Sequence, residues 1–183
     1  MRVVAGRLGG RRLVAPEGRD TRPTTDRVRE AMFNSLESSG LIEGALVADL
    51  YAGSGAIGIE ALSRGAARCV FVERDRSAIE ALEANLDDLD LAEVASVRRS
   101  SVSAVVGALD VDLVFADPPY GIVDWVELLG LISAPFVVAE DEREVAAPEG
   151  WRTIRARRYG RTWVTFLERN DATTPEAADG ELG

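Results

Sequence analysis

The sequence predicts an α/β fold with a mainly parallel sheet. Short apolar runs of strand character alternate with segments whose apolar residues recur at helical spacing, and this alternation is typical of parallel sheets with helical crossovers. A glycine-rich turn joins one of these strands to its helix, and residues 152–168 end the alternation with a hairpin pattern. At 183 residues, 46% of them hydrophobic, the chain fits one domain with a substantial core.

The stretch VADLYAGSGAIG at residues 47–58 is the centre of the predicted site. It reads as a strand from residue 45 to 50, a tight turn containing Gly53, Gly55 and Gly58, and the start of a helix. Glycines let the backbone lie against a ligand, and the first turn of a helix offers unpaired N–H groups to it. The spacing also fits a dinucleotide fingerprint, because Glu73 follows about 20 residues after the first glycine. The unit therefore predicts a nucleoside-cofactor site and leaves the cofactor open.

Further strands and helices follow in the expected order. We predict strands at residues 69–73, 94–98, 111–116 and 134–139, with helices at 76–89, 100–109 and around 125–132. Ser77 and Glu80 have the spacing of a capping box. Because ligands of parallel sheets gather at the carboxyl ends of the strands, Glu73 is expected at that edge, where its carboxylate can accept from ribose hydroxyls.

The N-terminal residues predict a small basic extension. Residues 2–5 and 11–14 are short apolar segments joined by GRLGG, a pattern that predicts a β-hairpin. The PTTD sequence at residues 23–26 is a helix-start signal, and Arg22, Arg27 and Arg29 are expected near that helix start.

Charge is unevenly distributed along the chain. The net charge is −10, yet residues 1–30 hold eight arginines and four acids, a balance of 8 − 4 = +4, and residues 151–161 hold five arginines and no acid. The two ends are therefore expected to form a basic face on an acidic body, which favours phosphate contacts.

Residue usage excludes several kinds of chemistry. Histidine is absent, so histidine triads and imidazole bases or metal ligands are excluded, and we expect no metal. The single cysteine, Cys69, lies in the apolar run CVFVE and is expected to be a buried core thiol. No apolar run approaches the roughly 20 residues that span a bilayer, and no signal peptide is apparent, so we expect a cytoplasmic protein without a membrane partner.

The most specific feature is Asp-Pro-Pro-Tyr at residues 117–120, directly after an apolar strand. The Asp117 carboxylate and the carbonyls of Pro118 and Pro119 are hydrogen-bond acceptors, and Tyr120 adds a flat ring. This set suits a planar group with an exocyclic amine, whose hydrogens meet the acceptors while its face stacks on tyrosine. A nicotinamide ring does not require such a motif.

At this point the sequence resembles a known family. DLYAGSG at residues 49–55 and DPPY look like two motifs of S-adenosylmethionine-dependent amino-methyltransferases. The order GRLGGRRL, RPTTDRVREAMFNSL, DLYAGSGAIGIEALSRGA, VFVERD and DPPY resembles the RsmD family of bacterial small-subunit (16S) rRNA guanine-N2 methyltransferases, from about residue 2 to 168. The glycine-loop and DPPY motifs are shared with DNA and protein amino-methyltransferases, whereas RPTTDRVRE narrows the resemblance.

The resemblance implies a seven-stranded, Rossmann-like class I methyltransferase sheet with an antiparallel last strand, and S-adenosylmethionine as cofactor. It implies catalytic roles for Asp117, Pro118, Pro119 and Tyr120. The cofactor-binding residues it implies are Asp49, Tyr51, Ala52, Gly53, Ser54, Gly55, Glu73, Arg74, Ser101 and Asp117. Two departures from the family pattern are Tyr51, where many relatives have Phe, and Ser100-Ser101, where many methyltransferases place an acid on the cofactor adenine.

The predicted partner is 16S rRNA or the small ribosomal subunit, bound by a monomer. The residues expected to contact RNA are Arg2, Arg7, Arg11, Arg12, Arg22, Thr24, Arg27, Arg155, Arg157 and Arg158. The expected organisation is a basic hairpin extension at 1–20, a methyltransferase domain at 21–169 and a disordered acidic tail at 170–183. Alternatives that stay open are a DNA or protein amino-methyltransferase, a nicotinamide-dependent oxidoreductase and a noncatalytic RNA-binding module.

Overall fold

The computed structural model describes residues 1–16 and 26–170. Helices α1 to α5 span Asp26–Ser38, Ala56–Ser63, Arg76–Asp88, Val102–Val105 and Trp125–Leu131. Strands β1 to β7 span Leu46–Leu50, Arg68–Glu73, Ala95–Arg99, Leu113–Ala116, Phe136–Asp141, Trp151–Tyr159 and Thr162–Arg169. The predicted strands agree with these within two residues, but the helix predicted at 100–109 is only α4 followed by a 3-10 turn. Within the described ranges, each helix is too short or too polar to cross a bilayer.

The seven strands form one sheet in the order β3-β2-β1-β4-β5-β7-β6. Strands β1 to β5 pair in parallel, whereas β7 runs antiparallel to both β5 and β6. The predicted mostly parallel sheet with an antiparallel last strand is therefore confirmed. The order reverses between β1 and β4, and in open α/β sheets this is where ligands bind at the carboxyl edge.

Alternating residues of the central strands pack into two cores, one on each face of the sheet. Val47 and Phe115 join the core that includes side chains of α1, α2 and α3, and there the rings of Phe33 and Phe115 lie 5.3 Å apart. Ala48 and Val114 join the core that includes side chains of α4 and α5. Because both faces are covered, β1 and β4 are almost wholly apolar.

The N-terminal segment is not the predicted two-stranded β-hairpin. Backbone hydrogen bonds join its two arms, but they make only one isolated bridge, between Arg2 and Arg12, and the residues between them form the 3-10 turn Gly6–Leu8. Val3 and Leu13 are buried in the core beside α1 to α3. The segment is therefore packed onto the body of the protein.

A buried carboxylate explains the missing strand. The consecutive N–H groups of Val4 and Ala5 both donate to the Glu60 carboxylate on α2, at 2.7 and 3.0 Å, so they point to the same side and the alternation of a strand ends there. Glu60 is fully buried and also accepts from Arg64 Nε at 2.7 Å, while Arg29 Nε lies 3.6 Å from it. Arg29 is itself fully buried, so the expectation that it contributes to a basic face is wrong.

Helix α3 is capped by Asp75 and not by the predicted capping box. The helix begins at Arg76, so Ser77 already lies inside it, and the Asp75 carboxylate accepts from the Ala78 N–H at 3.0 Å. The Ser77 hydroxyl donates to Asp75, and Glu80 pairs with Arg76. Asp75, two residues before Ser77, is therefore the N-cap that the spacing predicts at the serine.

Candidate active site

A large cleft lies at the carboxyl ends of the central strands. It encloses about 1740 Å³ and is lined by the loop after β1, the end of β2, residues 117–120 after β4, and the tip of the β6–β7 hairpin. Ligand pockets for one drug-sized molecule are roughly 300–1,000 Å³. The cleft is therefore large enough for a nucleoside cofactor and a second planar ligand together.

The structure brings most of the predicted cofactor residues to this cleft. Gly55 is the exception, and the nine that line the cleft are Asp49, Tyr51, Ala52, Gly53, Ser54, Glu73, Arg74, Ser101 and Asp117. The list from sequence missed Asp75 and Ser100, which also line it. Asp75 follows Arg74 just after β2, and Ser100 precedes Ser101 just after β3. Their place beside predicted residues at the carboxyl ends of these strands was the sequence feature that could have indicated them.

The glycines of the loop have two different roles. Gly53 has a φ of +56°, and the nearest atom to a Cβ built there is 4.0 Å away, so its backbone is open to a ligand. A Cβ on Gly55 would lie 2.3 Å from a Leu82 methyl, and one on Gly58 would lie 2.3 Å from the Phe71 ring. Gly55 and Gly58 therefore permit close packing of the loop and α2, while Gly53 lies at the cleft.

Four carboxylates come from four neighbouring strands and line the cleft. We call this set the acid row; its members are Glu73 on β2, Asp49 on β1, Asp117 just after β4, and Glu140 on β5. Burial raises the pKa of Asp49 well above its ordinary value, and the nearby Asp117 and Glu73 carboxylates add to the rise. The acid row makes this part of the cleft suited to a cationic ligand or to hydrogen-bond donors.

Glu73 also organises the loop. One oxygen accepts from the Gly53 N–H at 2.9 Å, and the other accepts from the N–H groups of Arg74 and Asp75 at 2.7 and 2.8 Å. The Glu73 carboxylate is therefore held in place by three backbone donors. A lone pair remains on the oxygen bound to Gly53, so the carboxylate can accept a further hydrogen bond.

Residues 117–120 pass from the sheet to the mouth of the cleft. Asp117 is half-buried and Pro118 is buried, whereas Pro119 and Tyr120 are exposed, Tyr120 by 39%. The Tyr120 hydroxyl is 2.9 Å from the Thr162 hydroxyl at the start of β7. The β6–β7 hairpin therefore holds the tyrosine ring beside the cleft, a contact that the sequence did not predict.

The predicted RNA-binding arginines divide into two groups. Arg27, Arg157 and Arg158 are exposed and line the cleft, as does Arg161 at the hairpin tip.

The other predicted arginines that the structure describes lie outside the cleft. Arg2, Arg7, Arg11, Arg12 and Arg155 are exposed. Among the described residues, Arg2 lies 3.4 Å from Asp26, Arg11 binds Asp88 at 3.2 Å, and Arg155 donates to the Ser35 hydroxyl.

Some of the predicted residues lie outside the part of the chain that the structure describes. These are Arg22, Thr24 and the predicted tail from residue 171 onward.

Cys69 is buried as expected, and burial raises the pKa of its thiol well above the ordinary value. A buried thiol of this kind is a core residue and not a nucleophile.

Comparison with known proteins identifies the family. Residues 1–168 match the family model described as Conserved hypothetical protein 95. The chain belongs to this family. One relative is ribosomal RNA small subunit methyltransferase D (RsmD) of Haemophilus influenzae, 31% identical over 87% of this chain and 89% of that protein. The predicted RsmD resemblance is confirmed.

Other members of the family agree in sequence and in structure. The YlbH protein of Bacillus subtilis is 39% identical, with 92% of this chain and 99% of that protein covered. The solved structure of yhhF from Escherichia coli is 34% identical, superposes with a TM-score of 0.81, and covers 92% of this chain and 97% of its own. The family resemblance therefore includes the N-terminal segment, the cleft and the closing hairpin.

Proposed function

We propose that this protein transfers a methyl group from S-adenosylmethionine to the exocyclic N2 amino group of a guanine in 16S rRNA. The observation that carries the proposal is that the glycine loop and the Asp117–Tyr120 motif open onto one cleft with room for both ligands. Membership in the RsmD family supports the choice of rRNA as substrate. A nicotinamide-dependent oxidoreductase would leave Asp117 to Tyr120 without a role.

The residues at the cleft suit this cofactor. S-adenosylmethionine carries a sulfonium and an ammonium group, and the acid row places the buried Asp49 carboxylate where such positive charge is favoured. The Ala52–Ser54 backbone would hold the methionine part, and Glu73 would accept from the ribose hydroxyls. When bound, the cofactor supplies a methyl group on a cationic sulfur, which the amino nitrogen attacks while the C–S electron pair returns to sulfur.

The protein's own contribution is to position the base and receive a proton. The Asp117 carboxylate and the Pro118 carbonyl would accept the two amino hydrogens and orient the nitrogen lone pair toward the methyl group. Asp117 or a water molecule would then take the proton that the methylated nitrogen releases. Such positioning accounts for about 7–11 kcal/mol of a barrier in favourable cases. Neither a histidine nor a metal ion is required by this scheme.

Tyr120 would hold a base that has been flipped or splayed out of its RNA stack. Stacking on an aromatic ring is the common way in which proteins hold an unstacked base. The hydroxyl contact with Thr162 fixes the ring, so the ring does not have to be ordered when the base arrives.

The exposed arginines would contact RNA phosphates. Arg27, Arg157, Arg158 and Arg161 surround the cleft, so phosphates on either side of a target nucleotide would lie within their reach. The N-terminal Arg2, Arg7, Arg11 and Arg12 would extend this surface. A monomer in the cytoplasm is sufficient for the proposed reaction.

The proposal is tested by transfer of labelled methyl groups from S-adenosylmethionine to unmethylated small subunits, free 16S rRNA, DNA and bulk protein, followed by nucleoside analysis. We expect label in N2-methylguanosine of 16S rRNA. Label in DNA or protein would replace the proposed substrate with that of another amino-methyltransferase. Binding of RNA without any transfer, in the presence of bound cofactor, would favour a noncatalytic RNA-binding module.

A further inference from the structure

Glu140 is a buried carboxylate in the cleft that the proposed reaction does not use. It belongs to β5, is 3% exposed and lines the same cleft as Asp117. In the β4–β5 pairing Ala116 lies opposite Ala139, so Asp117 and Glu140 are each the next residue toward the carboxyl edge. Neighbouring strands are about 4.8 Å apart. Asp117 and Glu140 are therefore neighbouring residues of the acid row, on adjacent strands of the sheet.

The residues proposed to bind the base do not by themselves distinguish guanine from adenine or cytosine. Asp117 and Pro118 accept hydrogens from an exocyclic amine, and Tyr120 stacks on a planar ring. Guanine, adenine and cytosine all have both features. A further group must therefore separate guanine from the other two bases.

The ring nitrogen beside the amine makes that distinction. The guanine amine is flanked by two ring nitrogens, of which N1 carries a hydrogen and N3 has a lone pair, whereas the one ring nitrogen beside the amine of adenine or cytosine has a lone pair. A carboxylate accepts hydrogen bonds and, when ionised, donates none. It would bind the N1–H of guanine and repel the lone pair of the other bases. Exclusion of water around a buried acceptor strengthens both effects.

We propose that Glu140 is the specificity-determining residue, accepting the N1–H of the target guanine while Asp117 and Pro118 accept the N2 amine. The inference rests on the proposed function, since it assigns a role within the same cleft. Its burial between β4 and β7 holds the carboxylate in one place, which selection by a single hydrogen bond requires.

The test compares guanine with 2-aminopurine, which keeps the 2-amino group but has no hydrogen on N1. Once the methylated nucleotide is mapped, small subunits are reconstituted with 16S rRNA carrying either base at that position. We measure kcat/KM for wild type and for Glu140→Gln. We also measure RNA binding with S-adenosylhomocysteine present, which requires no turnover. The matched control is Glu168→Gln, a change to another buried glutamate of the same sheet that does not line the cleft and that pairs with Arg152.

We expect wild type to prefer guanine, and Glu140→Gln to reduce that preference roughly 10- to 100-fold in both measurements, the size expected for one charged hydrogen bond. Glu168→Gln should keep the wild-type preference. An equal loss on both bases in Glu140→Gln would overturn the inference, because that is the result of general damage to the cleft. An equal loss of the preference for guanine over 2-aminopurine in Glu168→Gln would also overturn the inference. Failure of the proposed function is separate, because wild type would then not methylate guanine in the mapping experiment.

Discussion

Asp49 and Gly58 are joined across the glycine loop, because Oδ2 of the buried carboxylate accepts a hydrogen bond from the Gly58 N–H at 2.8 Å. The bond ties the end of β1 to the first turn of α2. It keeps an acid in a place where burial and two neighbouring carboxylates disfavour its charge. A residue retained at such a cost to stability is expected to serve a ligand, and a cationic cofactor would offset the unfavourable charge.

Replacement of Asp49 by asparagine should stabilise the free protein at neutral pH and weaken cofactor binding. The pKa of Asp49 is higher in the folded protein than in the unfolded protein. The free energy of unfolding therefore falls as pH rises from the lower pKa to the higher one, and it stays low above the higher one. Asp49→Asn cannot ionise, so its Tm should exceed that of wild type by a few degrees at pH 7, with the gain vanishing near pH 3. Thermal melts across this pH range, with cofactor titration at pH 7, are the measurements. A Tm difference independent of pH would contradict the prediction.

Removal of the Asp117 carboxylate should stop methyl transfer but not cofactor binding. Asp117→Ala loses the acceptor that orients the amine, and we expect single-turnover rates to fall by at least about 100-fold, the lower range for general acid–base groups. Asp117→Asn keeps one carbonyl acceptor and should retain more activity. Cofactor affinity should stay within a few fold in both variants. Near-normal turnover of Asp117→Ala would remove this residue from the mechanism.

A methyl group at Gly58 should destabilise the fold, whereas the same change at Gly130 should not. The Cβ of Gly58→Ala would lie 2.3 Å from the Phe71 ring and 2.6 Å from Cys69 Sγ, and overpacking of this kind costs about 1–3 kcal/mol. Gly130 lies inside α5 with nothing within 4 Å of a built Cβ, and alanine there should add up to about 1 kcal/mol. Urea unfolding of both variants gives the comparison, and equal stabilities would show that the packing argument is incorrect.

Neutralising Glu60 should destabilise the protein and release its N-terminal segment. Glu60→Gln removes the counter-charge that the buried Arg29 and Arg64 share, while Arg29 keeps its pair with Asp26 and Arg64 keeps its pair with Glu37. Breaking a buried ion pair costs about 3–5 kcal/mol, and we expect a loss at the lower end of this range because these two pairs remain. The control Glu80→Gln removes an exposed pair with Arg76 and should cost at most about 0.5 kcal/mol. Urea unfolding measures the two costs, and limited proteolysis reports on residues 1–16. Protection of those residues in Glu60→Gln would argue against the anchoring role.

The hairpin arginines should control the salt dependence of RNA binding. If Arg157 and Arg158 each contact a phosphate, the double alanine variant should bind 16S rRNA more weakly and reduce the slope of log affinity against log salt by about 2. Arg76→Ala, on α3 and away from the cleft, is the control and should leave the slope unchanged. Filter binding between low and physiological salt measures the slopes. Equal slopes in all three proteins would place the RNA elsewhere.

Local patterns were sufficient to predict the frame of the molecule. Three segments have structures that depend mainly on residues close to them in sequence, and their patterns were therefore sufficient. They are the run at residues 45–50, the glycines after it and the apolar strand before Asp117. The sheet then follows, since parallel strands joined by helices bring their carboxyl ends to one edge. For this reason nine of ten predicted cofactor residues lie in one cleft, although no pattern indicated that Gly55 packs against Leu82.

Glu140 is a residue of the cleft that the sequence analysis did not find. It ends the run FVVAE, just as Asp117 follows the run LVFA, and an acid at the end of a second buried strand was the available signal. The sequence did not show that Glu140 lies next to Asp117, which follows from the pairing of Ala139 with Ala116 in the sheet. Register between strands depends on residues distant in sequence, so a single strand does not reveal its neighbour.

The sequence by itself determined the α/β class, the glycine loop after β1, the position of Asp117 to Tyr120 after a buried strand, and the family. Only the tertiary structure decided which charges are buried and what the N-terminal segment does. Arg29 looked like its exposed neighbour Arg27, and Val4 and Ala5 looked like strand residues, until Glu60 was placed among them. The physical reason is that the partner of a buried charge or a backbone N–H is chosen by three-dimensional proximity. Here Glu60 lies more than 50 residues along the chain from Val4 and Ala5, and 60 − 29 = 31 residues from Arg29.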